Sequence, residues 1–373
     1  MGTGVGLRQV GYLDCAGGGQ VVVVDGIAYI GHMASPHGTS IVDVRDPSDM
    51  RVLATLGMPP GSHSHKVRVA NGIMLVNHEI NGADRRPLPA DFKSGLGIYD
   101  VANPAKPREI TRWTTVGKGV HRFDFDGRYA YLSATLEGFV GTVMLIMDLE
   151  RPERPGEVGR WWMPGQWTAG GEQPSWDKDA HRCHHPLRLG NRLYTSYWKG
   201  GFVILDIDDL AHPRLLSGLN WRPPYTCPTH TALPLPFAIN GRRYLVVADE
   251  DVQRGEHDVA AFAWMVDITD ERRPVPVGSF QVEGIEGRPS AAMTACHQPC
   301  EKVTGSEIPF AWFAQGLRII DVGNPHALRE VAHFLPDVPP GTDGVSSNDL
   351  TVDERGLIYL IDRRRGLTVL ERT

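Results

Sequence analysis

Along the chain, short apolar runs alternate with polar turns at a period of two, the pattern of half-buried strands. VVVVDGIAYIGH, FDFDGRYAYLSA, PLRLGNRLYTSY and LTVDERGLIYLI each read as a strand, a tight turn and a second, aromatic-rich strand. Their Asp-Gly and Gly-Asn dipeptides suit the positive φ angles of two-residue hairpins. A third apolar run follows each hairpin and ends in an acid and a turn, as in GTSIVDVRDPSDM, GLGIYDVANPAKP, GTVMLIMDLERPERP, GGFVILDIDDLAHP, AFAWMVDITDERRP and GLRIIDVGNPHAL, with GLTVLERT last. A fourth short strand, such as PREITRWTT, completes the unit. The aligned acids are Asp43, Asp100, Asp148, Asp206, Asp267, Asp321 and Glu371, spaced 57, 48, 58, 61, 54 and 50 residues apart. Four antiparallel strands per unit predict an all-β fold: one seven-bladed β-propeller domain over residues 1–373. The last unit has no fourth strand, whereas GLRQVGYLDC near the N-terminus reads as a fourth strand with no unit before it. The N-terminal strand is therefore expected to complete the last blade and close the ring, removing two exposed edges.

The repeat cores SIVDV, VILDI and RIIDV, each running into a turn that contains Pro, resemble the LVIVD-repeat family. The resemblance spans nearly the whole chain and implies a propeller. It implies little about activity, because a fold does not by itself supply chemistry.

Composition narrows the partners. A net charge of −6 gives no reason to expect nucleic acid or an anionic membrane. No apolar run approaches the roughly 18 residues of a membrane span. The N-terminus lacks the basic and apolar regions of a secretory signal. Five cysteines, an odd number, fit a reducing cytoplasm better than a disulfide scaffold. The oligomeric state is left open.

The candidate chemistry lies in the histidines. His65, His121, His185, His230 and His297 each stand at the start of an expected innermost strand, in five successive units. Asn348 takes that place in the seventh. His63, His181 and His184 lie in the connections leading into those strands, and His32, His37, His78 and His257 in loops expected on the same face. Only His212, His326 and His333 fall elsewhere, so twelve of fifteen histidines are expected at one mouth. Convergent imidazoles suit a transition metal such as Fe, Cu, Mn or Zn, with His65, His121, His185, His230 and His297 as candidate ligands. In HRCHH, His185 is expected to face the channel, with His181 and His184 on the lip as ligands, acid–base groups or surface residues. Glu79, Glu137 and Glu250 are expected to orient ligand imidazoles or act as general bases. Arg85, Lys199, Asn348 and Arg363, with Tyr197 and Trp198, are candidates for binding an anionic or aromatic substrate.

Three functions follow from this pattern. The first is a metal-dependent oxidoreductase or oxygenase acting on a small organic molecule. Carotenoid-cleaving oxygenases and selenium-binding-type thiol oxidases offer only an architectural likeness to it. The second is a redox-neutral lyase, isomerase or hydrolase using the metal as Lewis acid, or His and Glu as acid and base. The third is a non-catalytic propeller that binds proteins.

Overall fold

The computed structural model describes residues 2–176, 181–252, 259–283 and 295–373. His257 lies outside them. Within the described residues the structure is built of strands, with Thr168–Gly170 as the single helical turn. The chain divides into two compact units. One comprises Gly19–Leu193 and Leu205–Arg214, the other Met1–Gly18, Tyr194–Ile204 and Leu215–Thr373.

The first unit carries three antiparallel sheets whose main strands follow one another in chain order. They are Gly18–Val24, Ile27–His32, His37–Asp43 and Arg51–Gly57; then Val67–Ala70, Ile73–Ile80, Gly95–Asp100 and Arg108–Thr114; then Val120–Phe125, Tyr129–Thr135, Thr142–Asp148 and Gly156–Trp161. In the second unit, Thr229–Pro234, Tyr244–Asp249, Ala263–Asp267 and Val275–Phe280 form one such set. Gln298–Pro299, Glu307–Ala311, Leu317–Asp321 and Arg329–Leu335 form another, with Thr3–Val5 on its edge. Ser347–Val352, Ile358–Asp362 and Gly366–Arg372 are completed by Leu7–Leu13, which pairs antiparallel with the last of them. The expected pairing of the N-terminal strand with the final strand is thus present. The strands Arg192–Trp198, Phe202–Asp206 and Arg214–Leu219 carry the chain from one unit to the other.

The repeated acid has a local task. Asp43, Asp100, Asp148, Asp206, Asp267 and Asp321 each end a third strand, and each Oδ1 accepts the backbone N–H two residues on at 2.8–3.1 Å. Three residues later, Asp46, Asn103, Asp209, Asp270 and Asn324 repeat the same bond at 2.9–3.2 Å. Two successive Asx turns reverse the chain without a backbone ladder, which explains the D-x-x-[DN] spacing. The register then slips by one residue between third and fourth strands, at Ile41/Val42, Ile98/Tyr99, Ile146/Met147, Met265/Val266 and Ile319/Ile320. A bulge there adds local twist.

Burial follows strand position. Third strands such as Thr142–Asp148 are buried almost throughout, whereas fourth strands such as Arg108–Thr114 are largely exposed. In the first unit Leu75, Leu96, Ile98, Val120, Phe123, Leu132 and Leu145 pack into one apolar cluster. Ile27, Tyr29, Ile41, Val67, Met74 and Val76 form a second.

Candidate metal centre

Strand Ile73–Ile80 contains LVNHEI, and its alternation sends Asn77 and Glu79 to one face and His78 to the other. The sequence had suggested a loop for His78 and Glu79; the structure makes them part of the strand. His78 is buried, and burial pushes its ring down to about 4. On the other face, Ser62–His63 pairs with the same strand and sets His63 opposite Glu79. Two residues on, His65 comes to the same side, with its ring centroid 4.2 Å from that of His63.

Close backbone approach makes this possible. His32 N–H donates to the Ser64 carbonyl at 3.0 Å, and a Cβ at Gly31 would lie 2.6 Å from the His65 carbonyl carbon. Replacing Gly31 by Ala is expected to displace the His63–His65 segment and cost about 1–3 kcal/mol, measured by denaturant unfolding.

Glu79 is the hub. Its Oε2 lies 2.9 Å from His63 Nε2 and 3.7 Å from His65 Nδ1, and both its oxygens lie 3.0 Å from His121 Nδ1. His121 Nε2 in turn lies 3.1 Å from His184 Nε2. His63, His65, Glu79 and His184 are buried, and His121 is partly so. Burial opposes ionisation of Glu79, but the charge at His121 and the hydrogen bonds from His121 and His63 outweigh it, holding the carboxyl below its ordinary range. Burial lowers His65 well below its usual value, reinforced by His63, Lys66, His121 and Arg122. His121 is also lowered by burial, against the pull of Glu79. The centre is therefore an ionised carboxylate beside two rings, His65 and His121, whose protonation burial opposes.

Proton positions follow from the partners. A carboxylate only accepts, so His121 donates from Nδ1 to Glu79. Its neutral ring then accepts at Nε2, and His184 donates its Nε2–H across to it. His63 meets an acceptor at each nitrogen: the Met33 carbonyl 3.1 Å from Nδ1, and Glu79 at Nε2. A neutral ring satisfies only one of them. Satisfying both takes a second proton, or a cation seated between Nε2 and the carboxylate. A carbonyl that takes Nδ1–H and leaves the Nε2 lone pair outward is the usual support of a metal-bound histidine. At His65, Nδ1 lies 3.1 Å from the amide nitrogen of Asn77, whose Oδ1 takes the Lys66 N–H at 2.8 Å; an ion at Nδ1 would replace that one hydrogen bond and leave the amide nitrogen its two carbonyl acceptors, Val120 and His121.

The donor set fits a metal. His63, His65 and Glu79 each offer one ligand atom, and these atoms lie within 4.8 Å of one another. With bonds of about 2.1 Å, neighbouring donors sit roughly 3.0 Å apart in an octahedron and roughly 3.4 Å in a tetrahedron. The separations from Glu79, 2.9 and 3.7 Å, bracket those values. Asn77 also donates to the Val120 and His121 carbonyls at 3.1 and 3.3 Å. Asn77→Leu is expected to orphan these buried groups and cost about 2–4 kcal/mol in chemical denaturation.

The other unit assembles a second group. His230 and His297 have ring centroids 4.2 Å apart, and His297 Nε2 lies 3.5 Å from Glu250 Oε1. His297 Nδ1 donates to the Asn348 carbonyl and its ring stacks on Phe313 at 4.5 Å. Arg363 lies over the same Phe313 ring at 5.3 Å and donates from Nε to Asn348 Oδ1 at 2.7 Å. Burial lowers the Arg363 guanidinium, while Glu250 and Asp362 raise it. Beside them Asp249 accepts from the Trp264 and Trp221 indoles at 2.8 and 3.0 Å and from the Thr229 hydroxyl at 2.9 Å. Burial pushes that carboxyl up to about 7. Nothing in the sequence singled out Asp249, because its partners come from three distant segments.

The remaining candidates are dispersed. Glu137 is exposed after Tyr129–Thr135, and no contact to the histidines is found for it among the described residues. Arg85 is exposed, and its neighbour Arg86 holds Asp84 and Ser35 instead. Tyr197 is fully buried, Trp198 nearly so with φ 53°, and Lys199 partly exposed. His181 stacks on Trp176 with centroids 4.6 Å apart. His184 and His185 alternate along strand His181–Leu189: His184 meets His121, and His185 is buried near Arg122 and Arg68, its ring lowered chiefly by burial. Sequence reasoning had left His63 in the connection before the inner strand, outside the candidate ligands, and it passed over Asn77. The i, i+2 spacing of HSH, directly before a strand, was the signal for His63. Burial pushes the Cys15 and Cys300 thiols up to about 12 and raises Cys183 and Cys296 further, which removes thiolate nucleophiles at these positions.

Residues 90–115 and 189–220 match the LVIVD repeat, so the chain carries that repeat where the sequence pattern had suggested it. No match is found among curated proteins. Among solved structures, the chain is similar to the mitotic checkpoint complex, with TM-score 0.59 and 10% identity over 98% of this chain and 93% of that one. It is also similar to Saccharomyces cerevisiae Sqt1, with TM-score 0.57 and 9% identity over 97% and 87%. The computationally designed Ika8 protein gives TM-score 0.54 and 7% identity over 98% and 100%. Such low identities speak for the fold alone, which is all-β and propeller-like.

Proposed function

We propose that this LVIVD-repeat chain is a seven-bladed propeller closed by Leu7–Leu13, and that it is a metal-dependent enzyme acting on a small organic substrate. The observation that carries the reading is the His63–His65–Glu79 group: two imidazole nitrogens and one ionised carboxylate, buried and converging. Two histidines and one carboxylate with open positions are the donor set of non-haem Fe(II) oxygenases, so an oxidoreductase is the leading activity. The ion would supply O₂ binding or polarisation of a substrate oxygen. The chain's own residues fix the rest: the Met33 carbonyl orients His63, and His121 holds Glu79 in place. The buried Arg363–Phe313 stack supports an anionic or aromatic substrate. Five cysteines without a disulfide among the described residues support a cytoplasmic setting.

The His121–His184 contact favours one second reading. A donor–acceptor pair reaching from Glu79 can relay a proton, which suits a redox-neutral lyase, isomerase or hydrolase. Metal quantification on untagged full-length protein, followed by oxygen uptake with phenols and thiols on the Fe(II)-loaded chain, separates these activities. Bound metal with substrate-dependent oxygen uptake supports the oxidoreductase. Bound metal without uptake moves the assignment to the redox-neutral enzyme. Less than about a tenth of an equivalent of any transition metal, before or after loading, overturns both.

A further inference from the structure

We propose that the unit containing residues 215–373 holds a second cation site of its own, built from His230, His297 and Glu250. The chain then binds two transition-metal ions rather than one. This goes beyond the reading of the Glu79 group and does not depend on it.

The hydrogen-bond chain behind His230 fixes its tautomer. Gln298 donates its amide nitrogen to the Pro299 carbonyl and to Glu301, each at 2.9 Å, so Gln298 Oε1 is an acceptor. The Thr231 hydroxyl lies 3.0 Å from that oxygen and gives its single proton to it. Thr231 Oγ1 is therefore the acceptor for His230 Nδ1, 2.8 Å away. A neutral His230 carries its proton on Nδ1 and presents a lone pair at Nε2. His297 is fixed in the same sense, because its Nδ1 donates to the Asn348 carbonyl. Its Nε2 lone pair faces Glu250 Oε1 at 3.5 Å, beyond ordinary hydrogen-bond length but suited to two donors of one ion.

Both imidazoles and Glu250 are more than nine-tenths buried. The His230 and His297 rings lie 4.2 Å apart, and Glu250 has a ligand atom within 4.8 Å of one on His230 and 3.5 Å from His297 Nε2, in a region with little water, an arrangement that a cation stabilises. Arg363 faces the same region: its Nε donates to Asn348 Oδ1 at 2.7 Å, and its guanidinium and the Glu250 carboxylate attract each other. The parallel with the first unit is close. There His63 gives Nδ1 to the Met33 carbonyl and aims Nε2 at Glu79, which ends a second strand; here His297 and Glu250, directly after the second strand Tyr244–Asp249, repeat it.

The test is equilibrium dialysis of the full chain against Co(II) after chelator treatment, with far-ultraviolet circular dichroism as the control for folding. About two equivalents are expected for the natural chain. Glu250→Gln and His297→Ala should each lose about one equivalent and keep the other, and Glu79→Gln should lose the complementary one. Thr231→Val leaves every ligand in place but frees the His230 ring, and should weaken only this site by about 10–100-fold. It serves as the readout if the ligand variants do not fold. Full stoichiometry in Glu250→Gln and His297→Ala overturns the proposal, as does a single equivalent lost on Glu79→Gln alone. Loss of all metal from any one variant also overturns it in favour of one shared centre. A single equivalent that depends on Glu250 and not on Glu79 upholds this site and removes the Glu79 reading.

Discussion

Glu79→Ala is expected to weaken metal binding at the His63–His65 group by at least about a hundredfold and to destabilise the metal-free chain by about 3–5 kcal/mol. The affinity falls because Glu79 is the only anionic donor among His63, His65 and Glu79. The stability falls for another reason. His121 Nδ1 donates to both Glu79 oxygens at 3.0 Å, and removing the carboxylate leaves that N–H buried without its acceptor. Glu79→Gln separates the two effects. One amide oxygen still accepts from His121, and the amide nitrogen can donate to His63 once His63 carries its proton on Nδ1 toward Met33. That variant should lose metal while costing only about 1 kcal/mol. Urea titrations with and without metal check both; equal stability losses for Ala and Gln would show that the carboxylate has no such hydrogen-bonding role.

Deleting residues 2–13 should be as damaging. Leu7–Leu13 pairs with Gly366–Arg372, from Leu7 opposite Arg372 to Leu13 opposite Leu367, and Leu7 is buried in the cluster that holds Leu317, Leu350, Ile358 and Leu370. Thr3–Val5 also covers the edge strand Arg329–Leu335. Removing them exposes two strand edges and withdraws about 2–3 kcal/mol of apolar burial at Leu7 alone. The shortened chain is expected to melt lower and to aggregate, read by thermal unfolding and light scattering. Unchanged melting would mean that the N-terminal strand is dispensable to the fold.

Much of this architecture was legible because its signals are local. Each repeated Asp bonds a backbone N–H only two residues away, so Asp43, Asp100 and their equivalents leave the same short pattern wherever they occur. The candidate site is a different kind of object. Glu79 joins His63, His65 and His121 from three segments, and which imidazole reaches which oxygen depends on register. HRCHH shows the consequence. Its strand begins at His181 rather than at His185, so alternation sets His184, and not its neighbour, against His121. A one-residue difference in register turns every side chain to the opposite face, and five histidines in five units could be found without their roles being assigned.

The most direct test of the metal centre is anomalous diffraction from crystals of the full chain, recorded at the absorption edge of the metal it carries after loading. The expected result is a peak within about 2.0–2.3 Å of His63 Nε2, His65 Nδ1 and a Glu79 oxygen. A map with no peak there, and a water or a bare hydrogen bond between His63 and Glu79 instead, would contradict it.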